Sequence, residues 1–524
     1  MSPGSAPPPR LAIALCADFE VSGRAEVGPL ARELERFEPG AHVEIVPDLC
    51  HGPDRAADVI SRAHPDRLLL GVCTRPQAPH DFQALARRAG LDPFALEFVE
   101  LGGAPDLGTA TRIAAAAIAR LRAFSGSRPE QLKLRLLSFE HKRSRRSLFT
   151  LPPSTYEPVA SVDRGSCIGE ERCGLCVSAC PFGAIAIAGS KAAVDREACA
   201  SCGVCVTSCP AGAIELPGAS LSQVEAEISV LLEAEAPRLV FACRGARQDT
   251  TGGTPLSAGW LPVEVPCLGM VTPGWILQVL ARGASAVALL GCGERCHSGR
   301  AAAGGNRVDF VRELLSLLGE TAAAQRVSLL AGGVEPPPPP AAPVLPGGAR
   351  GGVAGGGITL LEPAATAEAV AALAERHRAG PDVSLVHSGS PLGIVSLREE
   401  TCTACGACAT VCPTGALRYE EDAEGEAVVS LEAAHCIACG KCVPACPEGA
   451  FETLGVRAGV ELAGLAAGRI ALKRAASARC RRCGGAIAPE AMLSRIRTLL
   501  EGEEASAPLL SILTELCSDC RALH

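Results

Sequence analysis

The sequence predicts a multidomain chain of mixed α/β and α+β type. It comprises two small parallel-sheet α/β domains, two compact α+β modules built around cysteine clusters, and a four-cysteine C-terminal tail. Three observations lead there. Strand-like and helix-like runs alternate over residues 10–123 and again over 220–330, the pattern of a parallel sheet with crossover helices. Residues 161–217 and 395–455 each carry eight cysteines in short runs. The tail, 478–524, holds two C-x-x-C pairs around helical sequence. At 524 residues the chain is long enough for several domains.

Composition narrows the classes. The chain is 48% hydrophobic but only 3% aromatic, so its cores must be built from Ala, Val, Leu and Ile. A net charge of -8 argues against a dedicated nucleic-acid binder. Of the 27 cysteines most stand in repeated C-x-x-C runs, too close in sequence to pair conveniently with one another and suited to metal or iron–sulfur ligation. The N-terminus "MSPGSAPPPRLAIALC" lacks the basic region of a signal peptide. No run approaches the 18 or so apolar residues of a membrane helix. A reducing, cytoplasmic location is the expectation.

"CTACGACATVCP" supplies Cys402, Cys405, Cys408 and Cys412, and "CIACGKCVPACP" supplies Cys436, Cys439, Cys442 and Cys446. Both follow C-x-x-C-x-x-C-x-x-x-C-P, in which three thiolates on a tight loop grip one cubane and the fourth serves the other. The fourth cysteine is expected to begin a short helix pointing at that other cluster. Ligation should therefore cross: Cys402, Cys405 and Cys408 with Cys446, and Cys436, Cys439 and Cys442 with Cys412. The earlier module has one regular run, Cys199, Cys202, Cys205 and Cys209. Its other run, "CIGEERCGLCVSACP", places Cys167 three residues further than usual from Cys173, with Cys176 and Cys180 following. The expected sets are Cys167, Cys173 and Cys176 with Cys209, and Cys199, Cys202 and Cys205 with Cys180. Cys167 is the ligand at risk from the insertion. Both modules resemble bacterial-type dicluster ferredoxin domains, which implies four [4Fe–4S] clusters.

Between the modules, "RLVFAC", "LPVEVPC" and "ASAVALLGC" end at Cys243, Cys267 and Cys292, and Cys296 follows closely. "TPGWILQVLARG" has helical spacing, with Pro273 near its start and Gly283 at its end. In a parallel sheet the carboxyl ends of adjacent strands lie side by side, so Cys243, Cys267, Cys292 and Cys296 should converge. Four thiolates suit a [2Fe–2S] cluster or zinc. The stretch from "PCLGM" through "GCGERCH" to "NRVDFVRELL", about residues 237–320, resembles the delta subunit of methyl-viologen-reducing hydrogenase, which implies a [2Fe–2S] cluster. The family often has a further cysteine after the first strand, whereas "CRGA" here supplies only Cys243. His297 is a surface residue, a hydrogen-bond donor behind the ligands, or a ligand.

Residues 10–123 repeat the theme: "RLAIALC", "AHVEIVPDLC" and "DRLLLGVC" end at Cys16, Cys50 and Cys73. The region resembles the N-terminal domain of the A-type, flavin-bearing component of heterodisulfide reductase, notably at "LLLGVCTRPQAPHDFQALARRAGLDPFALEFVEL". The flavin-binding portion of that component has no counterpart here. With three thiols, a cluster would need Asp18, His51 or an external ligand, and the alternative is a docking domain with reduced thiols.

The connector 124–160 is basic at Lys133, Arg135, Lys142, Arg143, Arg145 and Arg146 and reads as a solvated linker or a docking element for an acidic partner. Residues 335–357, "EPPPPPAAPVLPGGARGGVAGGG", read as a flexible linker. They follow no strand and open no helix, so they are not a dinucleotide loop. In the tail, Cys480, Cys483, Cys517 and Cys520 suit a closed four-thiolate site, structural zinc or rubredoxin-like iron, although their 33-residue gap exceeds that of a zinc ribbon. No nucleophile elbow, paired-carboxylate motif or open metal site is visible. The chain reads as an electron-transfer subunit with four [4Fe–4S] clusters, one [2Fe–2S] cluster and a structural zinc. Its partners would be other redox subunits, of hydrogenase, dehydrogenase or heterodisulfide reductase type. The alternatives are a self-contained flavin-dependent oxidoreductase and a redox- or oxygen-sensing iron–sulfur protein.

Overall fold

The computed structural model describes residues 8–18, 27–50, 53–73, 79–136, 154–170, 172–247, 259–293, 296, 301–331, 358–421, 425–451, 455–500 and 507–522. The chain divides into two compact units. The first comprises Met1–Cys167, Cys176–Ser316 and Glu320–Leu361, and the second Ile168–Leu175, Leu317–Gly319 and Glu362–His524.

The first unit begins with strand β1 (Leu11–Cys16), helix α1 (Val27–Phe37), β2 (His42–Val46), α2 (Pro53–Ala63), β3 (Arg67–Val72), α3 (Pro79–Arg88), β4 (Leu96–Glu100) and α4 (Leu107–Arg122). The four strands form one parallel sheet in the order β2-β1-β3-β4. Every residue of β1 is buried, as expected of a central strand covered on both faces, which is why its sequence is an unbroken apolar run. Helix α4 is capped by Asp106, whose side chain accepts from the Thr109 amide at 2.7 Å.

Helix α4 packs on α5 (Leu221–Leu231), which opens with a reciprocal Ser220–Gln223 capping box. A second alternating set follows: β7 (Arg238–Cys243), β8 (Leu261–Val265), α6 (Pro273–Ala281), β9 (Ala286–Gly291), α7 (Ala301–Leu317) and β10 (Val327–Ala331). Its sheet is again parallel, in the order β8-β7-β9-β10. The two sheets therefore share one topology. Thr272 caps α6 and Pro273 starts it. All nine residues of α6 are buried, including Trp275. The Trp275 indole donates to the Leu360 carbonyl at 3.2 Å, the Leu360 amide to Glu225 at 2.7 Å and the Thr359 amide to Gln278 at 3.3 Å. The chain that resumes at Ile358, after residues 332–357, is thus fixed to the unit that contains β10. The proline- and glycine-rich stretch itself lies outside the described residues.

The basic connector departs from expectation. Strands β5 (Leu132–Leu136) and β6 (Ser154–Pro158) pair antiparallel, so its flanks form a hairpin rather than a solvated linker. Lys133 donates to the Glu197 carbonyl at 2.6 Å, and Arg135 pairs with Glu157 at 2.9 Å. These two cations have partners within the chain. Lys142, Arg143, Arg145 and Arg146 lie outside the described residues.

In the second unit, α8 (Pro363–His377) precedes a small antiparallel sheet of Ser384–Val386, Val456–Glu461 and Gly393–Val395. A second antiparallel sheet runs β11 (Leu417–Glu421), β12 (Glu426–Glu432), β13 (Arg469–Arg479) and β14 (Ala486–Pro489). The tail cysteines are therefore not on a detached ribbon, because β13, which leads into Cys480, pairs with β12 of the second eight-cysteine module. Helices α9 (Glu490–Leu500) and α10 (Ala507–Glu515) occupy the two helical stretches read from the tail sequence.

Candidate iron–sulfur and metal sites

The short helices of the cysteine runs span Leu175–Ala179, Val204–Ser208, Ala407–Thr410 and Cys442–Ala445. Each contains the third cysteine, and the fourth follows the helix rather than beginning it as the spacing suggests. The reason is the proline after every fourth cysteine, which disfavours helical backbone at the residue before it. Cys209 and Cys446 are accordingly extended, at ψ 104° and 110°. In each run the fourth sulfur accepts a backbone amide: Ala184 to Cys180, Ala213 to Cys209 and Ala450 to Cys446 at 3.3 Å, and Leu417 to Cys412 at 3.5 Å. Such bonds favour the thiolate.

The loops before those helices curl through left-handed residues. Ser201 and Gly203, Ala404 and Gly406, and Ala438 and Gly440 have φ between 53° and 76° and occupy equivalent places in the three regular runs. Alternation of this kind turns successive amides inward, making a concavity for an anion, and an iron–sulfur cluster with its thiolates is anionic. The irregular run uses glycine instead, with Gly169 at φ 88° and Gly174 at 98°.

Two cavities are each lined by four cysteines drawn from both runs of a module. One is lined by Cys402, Cys405, Cys408 and Cys446 with Leu397 and Phe451. The other is lined by Cys180, Cys199, Cys202 and Cys205 with Phe182 and Leu216. Three thiols of one run and the fourth of its partner thus meet in an otherwise largely apolar chamber. Cys442 in turn has Cys436, Cys439 and Cys412 among its electrostatic neighbours. Burial, with neighbouring thiols, pushes Cys202 and Cys436 up to about 11 and Cys408 and Cys442 to about 12. Alone these groups stay neutral thiols, so holding them as thiolates needs a cationic metal core.

At the carboxyl edge of the second parallel sheet, Cys243 ends β7 and Cys292 follows β9. Their sulfurs lie 4.0 Å apart. Burial, then the proximity of Cys243 and Cys296, raises Cys292 to about 12. The structure thus brings Cys243, Cys292 and Cys296 together. Cys267 lies two residues beyond β8, where its sulfur accepts the Gly269 amide at 3.3 Å. It is also an electrostatic neighbour of Cys202 in the preceding module. Arg307, which the sequence did not single out, donates to the carbonyls of Leu268, Gly269 and Val271 at 3.1, 3.0 and 2.7 Å and pins this turn. No local signal marked it, because the same helix also carries Asp309, Arg312 and Glu313. His297 lies outside the described residues.

In the tail, Cys480, Cys483, Cys517 and Cys520 each offer a sulfur within 4.8 Å of all the others. Cys483 and Cys517 are 3.5 Å apart. Hydrogen bonds from backbone amides, that of Cys517 foremost, lower Cys480 to about 6. In the first sheet Cys16, Cys50 and Cys73 are equally close, all within 4.8 Å. His51 lies outside the described residues.

Paired cysteine runs on glycine-curled loops, in a chain that also carries parallel sheets in its first unit, define an iron–sulfur protein with ferredoxin-type [4Fe–4S] domains. Residues 160–213 and 401–450 match the 4Fe-4S dicluster domain family, which gives four [4Fe–4S] sites. Residues 240–331 match the family described as methyl-viologen-reducing hydrogenase, delta subunit. The chain therefore carries a hydrogenase delta-subunit domain between two dicluster ferredoxin domains, an assembly suited to electron transfer. These matches lie outside residues 10–123, where the resemblance to heterodisulfide reductase stays an expectation. No curated protein matches the chain. Among the described residues, no helix is long and apolar enough to cross a membrane.

Proposed function

We propose that the chain relays single electrons within a larger oxidoreductase complex of hydrogenase or heterodisulfide reductase type. It would do so through four [4Fe–4S] clusters and one [2Fe–2S] cluster, with a structural zinc in the tail. The observation that carries this reading is the lining of the two apolar cavities by crossed cysteine sets. The ligand sets are Cys167, Cys173, Cys176 and Cys209; Cys199, Cys202, Cys205 and Cys180; Cys402, Cys405, Cys408 and Cys446; and Cys436, Cys439, Cys442 and Cys412. The [2Fe–2S] cluster falls to Cys243, Cys267, Cys292 and Cys296.

When bound, the clusters supply one-electron redox chemistry. The chain's own part is to keep water out with residues such as Phe182, Leu397 and Phe451 and to tune potential through amide–sulfur hydrogen bonds. The proximity of Cys267 to Cys202 supports a hand-over between the delta-subunit site and the neighbouring ferredoxin site. The match to a hydrogenase subunit supports redox proteins as partners.

Anaerobically purified full-length protein should contain about 18 irons per chain with matching labile sulfide. Cys292→Ser should remove about two of them and the [2Fe–2S] resonance while the [4Fe–4S] signals persist. Iron content that stays at the full value in that variant, or a chain without labile sulfide, rejects the reading. Cys480→Ser with Cys483→Ser should release zinc and leave iron unchanged; a fall in iron instead would assign the tail to iron.

A further inference from the structure

We propose that Cys16, Cys50, Cys73 and Asp18 form a tetrahedral site for a single thiophilic divalent cation, of which zinc is the best fit, at the carboxyl edge of the first sheet. The proposal stands apart from the electron-transfer reading and rests on geometry. All three sulfurs lie within 4.8 Å of one another. The Asp18 carboxylate is 3.7 Å from the Cys16 sulfur. An ion bonded to sulfur at about 2.3 Å and to oxygen at about 2.1 Å holds sulfurs about 3.8 Å apart and sulfur and oxygen about 3.6 Å apart. The three sulfurs stand close enough to share one ion, and the Asp18 carboxylate adjoins Cys16 without lying within 4.8 Å of every sulfur, so it completes the shell by swinging inward from the Cys16 side.

The same numbers argue against a polynuclear occupant. A cubane or a two-iron cluster spreads its thiolates over different metal atoms, so at least one pair must stand well beyond the edge of a single tetrahedron. Among the described residues, the only other set this tight is the four-thiolate tail. No three described cysteines of the ferredoxin runs reach it, as suits larger inorganic cores.

Placement adds a second line of evidence. The first and second sheets have the same strand order, 2-1-3-4 in chain sequence. In each, a cysteine ends the first strand, another follows the second strand within a few residues, and a third comes directly after the third strand. One scaffold thus presents thiols at the same three points twice, and the second presentation lies in the delta-subunit match.

The ligands are also held from behind. The Asp48 amide donates to Asp18 at 3.2 Å, and the Cys73 amide donates to the Cys50 sulfur at 3.1 Å. Gly102 donates to the Cys73 carbonyl at 3.1 Å; a Cβ there would stand 2.1 Å from that oxygen, so the residue must be glycine for the backbone to approach. Three thiolates and a carboxylate carry the same charge as four thiolates. A borderline-soft cation with no geometric preference of its own accepts either set.

The test uses full-length protein. In a chain whose tail thiols are removed by Cys480→Ser and Cys483→Ser, we expect one zinc per chain, surrounded by three sulfurs and one oxygen in zinc-edge X-ray absorption. Adding Cys50→Ser should lower bound zinc at least tenfold without changing iron. Asp18→Cys, which keeps the other three ligands, should convert the shell to four sulfurs. The same substitution in the otherwise unaltered chain should raise the mean sulfur count at zinc, a readout that does not depend on the tail variant folding. Absence of zinc from the tail-free chain overturns the proposal. So does a loss of iron on Cys50→Ser, or an unchanged shell in Asp18→Cys.

Discussion

Gly406 shows how little freedom a single position in a cluster loop has. Its φ is 76°, and a Cβ there would lie 2.8 Å from the Tyr419 ring. Left-handed backbone costs a side-chain-bearing residue about 1–2 kcal/mol before any contact is counted. Gly406→Ala should therefore lower the anaerobic melting temperature of the second unit, while Ala404, which is left-handed yet already carries a Cβ, should tolerate Ala404→Ser. Equal melting of the two variants would show that the loop relaxes. Gly203 has the same conformation, and a Cβ there would approach the Met270 sulfur to 2.7 Å. The cysteine pattern announces glycine at these places, but the partner against which each is pressed comes from elsewhere in the chain and leaves no mark on the local sequence.

Elements are joined in the first unit by one buried cation. Arg120 on α4, with a side chain 3% exposed, donates to Glu227 on α5 at 2.6 Å, to the Gly218 carbonyl at 2.5 Å and to the Glu264 carbonyl at 3.1 Å. Above about pH 7, where Glu227 is ionised, replacing Arg120 by Met would strand the carboxylate, a change that costs about 3–5 kcal/mol when one partner of a buried pair is removed. Chemical denaturation of the full chain, followed at the combined emission of Trp260 and Trp275, both in the first unit, would register it as an earlier first transition. Burial outweighs the attraction of Arg120 and raises Glu227 from 4.5 to about 7. The folded protein then binds this proton more tightly than the unfolded chain. Its stabilising effect is complete below about pH 4.5 and is lost as pH rises through about 7. Wild type should accordingly lose stability relative to Glu227→Gln between those values and run parallel to it above them; a difference constant with pH would refute the shift.

At the scale of the whole molecule, what was legible tracks the range of the interactions. Cysteine runs, with ligand spacing and proline stops in adjacent residues, could be read directly. So could the parallel sheets, because β1, β7 and β9 are continuous apolar runs ended by cysteine. The hairpin of β5 and β6 was missed because its partners are separated by a long basic stretch and, although β5 alternates as "LKLRL", its partner "STYEP" carries no matching apolar pattern. Strand β13, "RIALKRAASAR", has one buried position and four cations among its residues, so its place in the sheet of the second module was masked by composition. The convergence of Cys16, Cys50 and Cys73 could be anticipated from strand ends, but their spacing, and with it the number of metal atoms they suit, required coordinates.

Residues 332–357 leave one unit at Ala331 and rejoin the same unit at Ile358, where Trp275, Gln278 and Glu225 hold the returning backbone. A tether whose two ends are moored to one body sets no distance between bodies. Protease nicking within it should therefore yield two polypeptides that still migrate as one particle under native conditions and part only in denaturant. Shortening it should leave the links between the two units untouched, because the chain passes from one to the other elsewhere, after Cys167, Leu175, Ser316, Gly319 and Leu361.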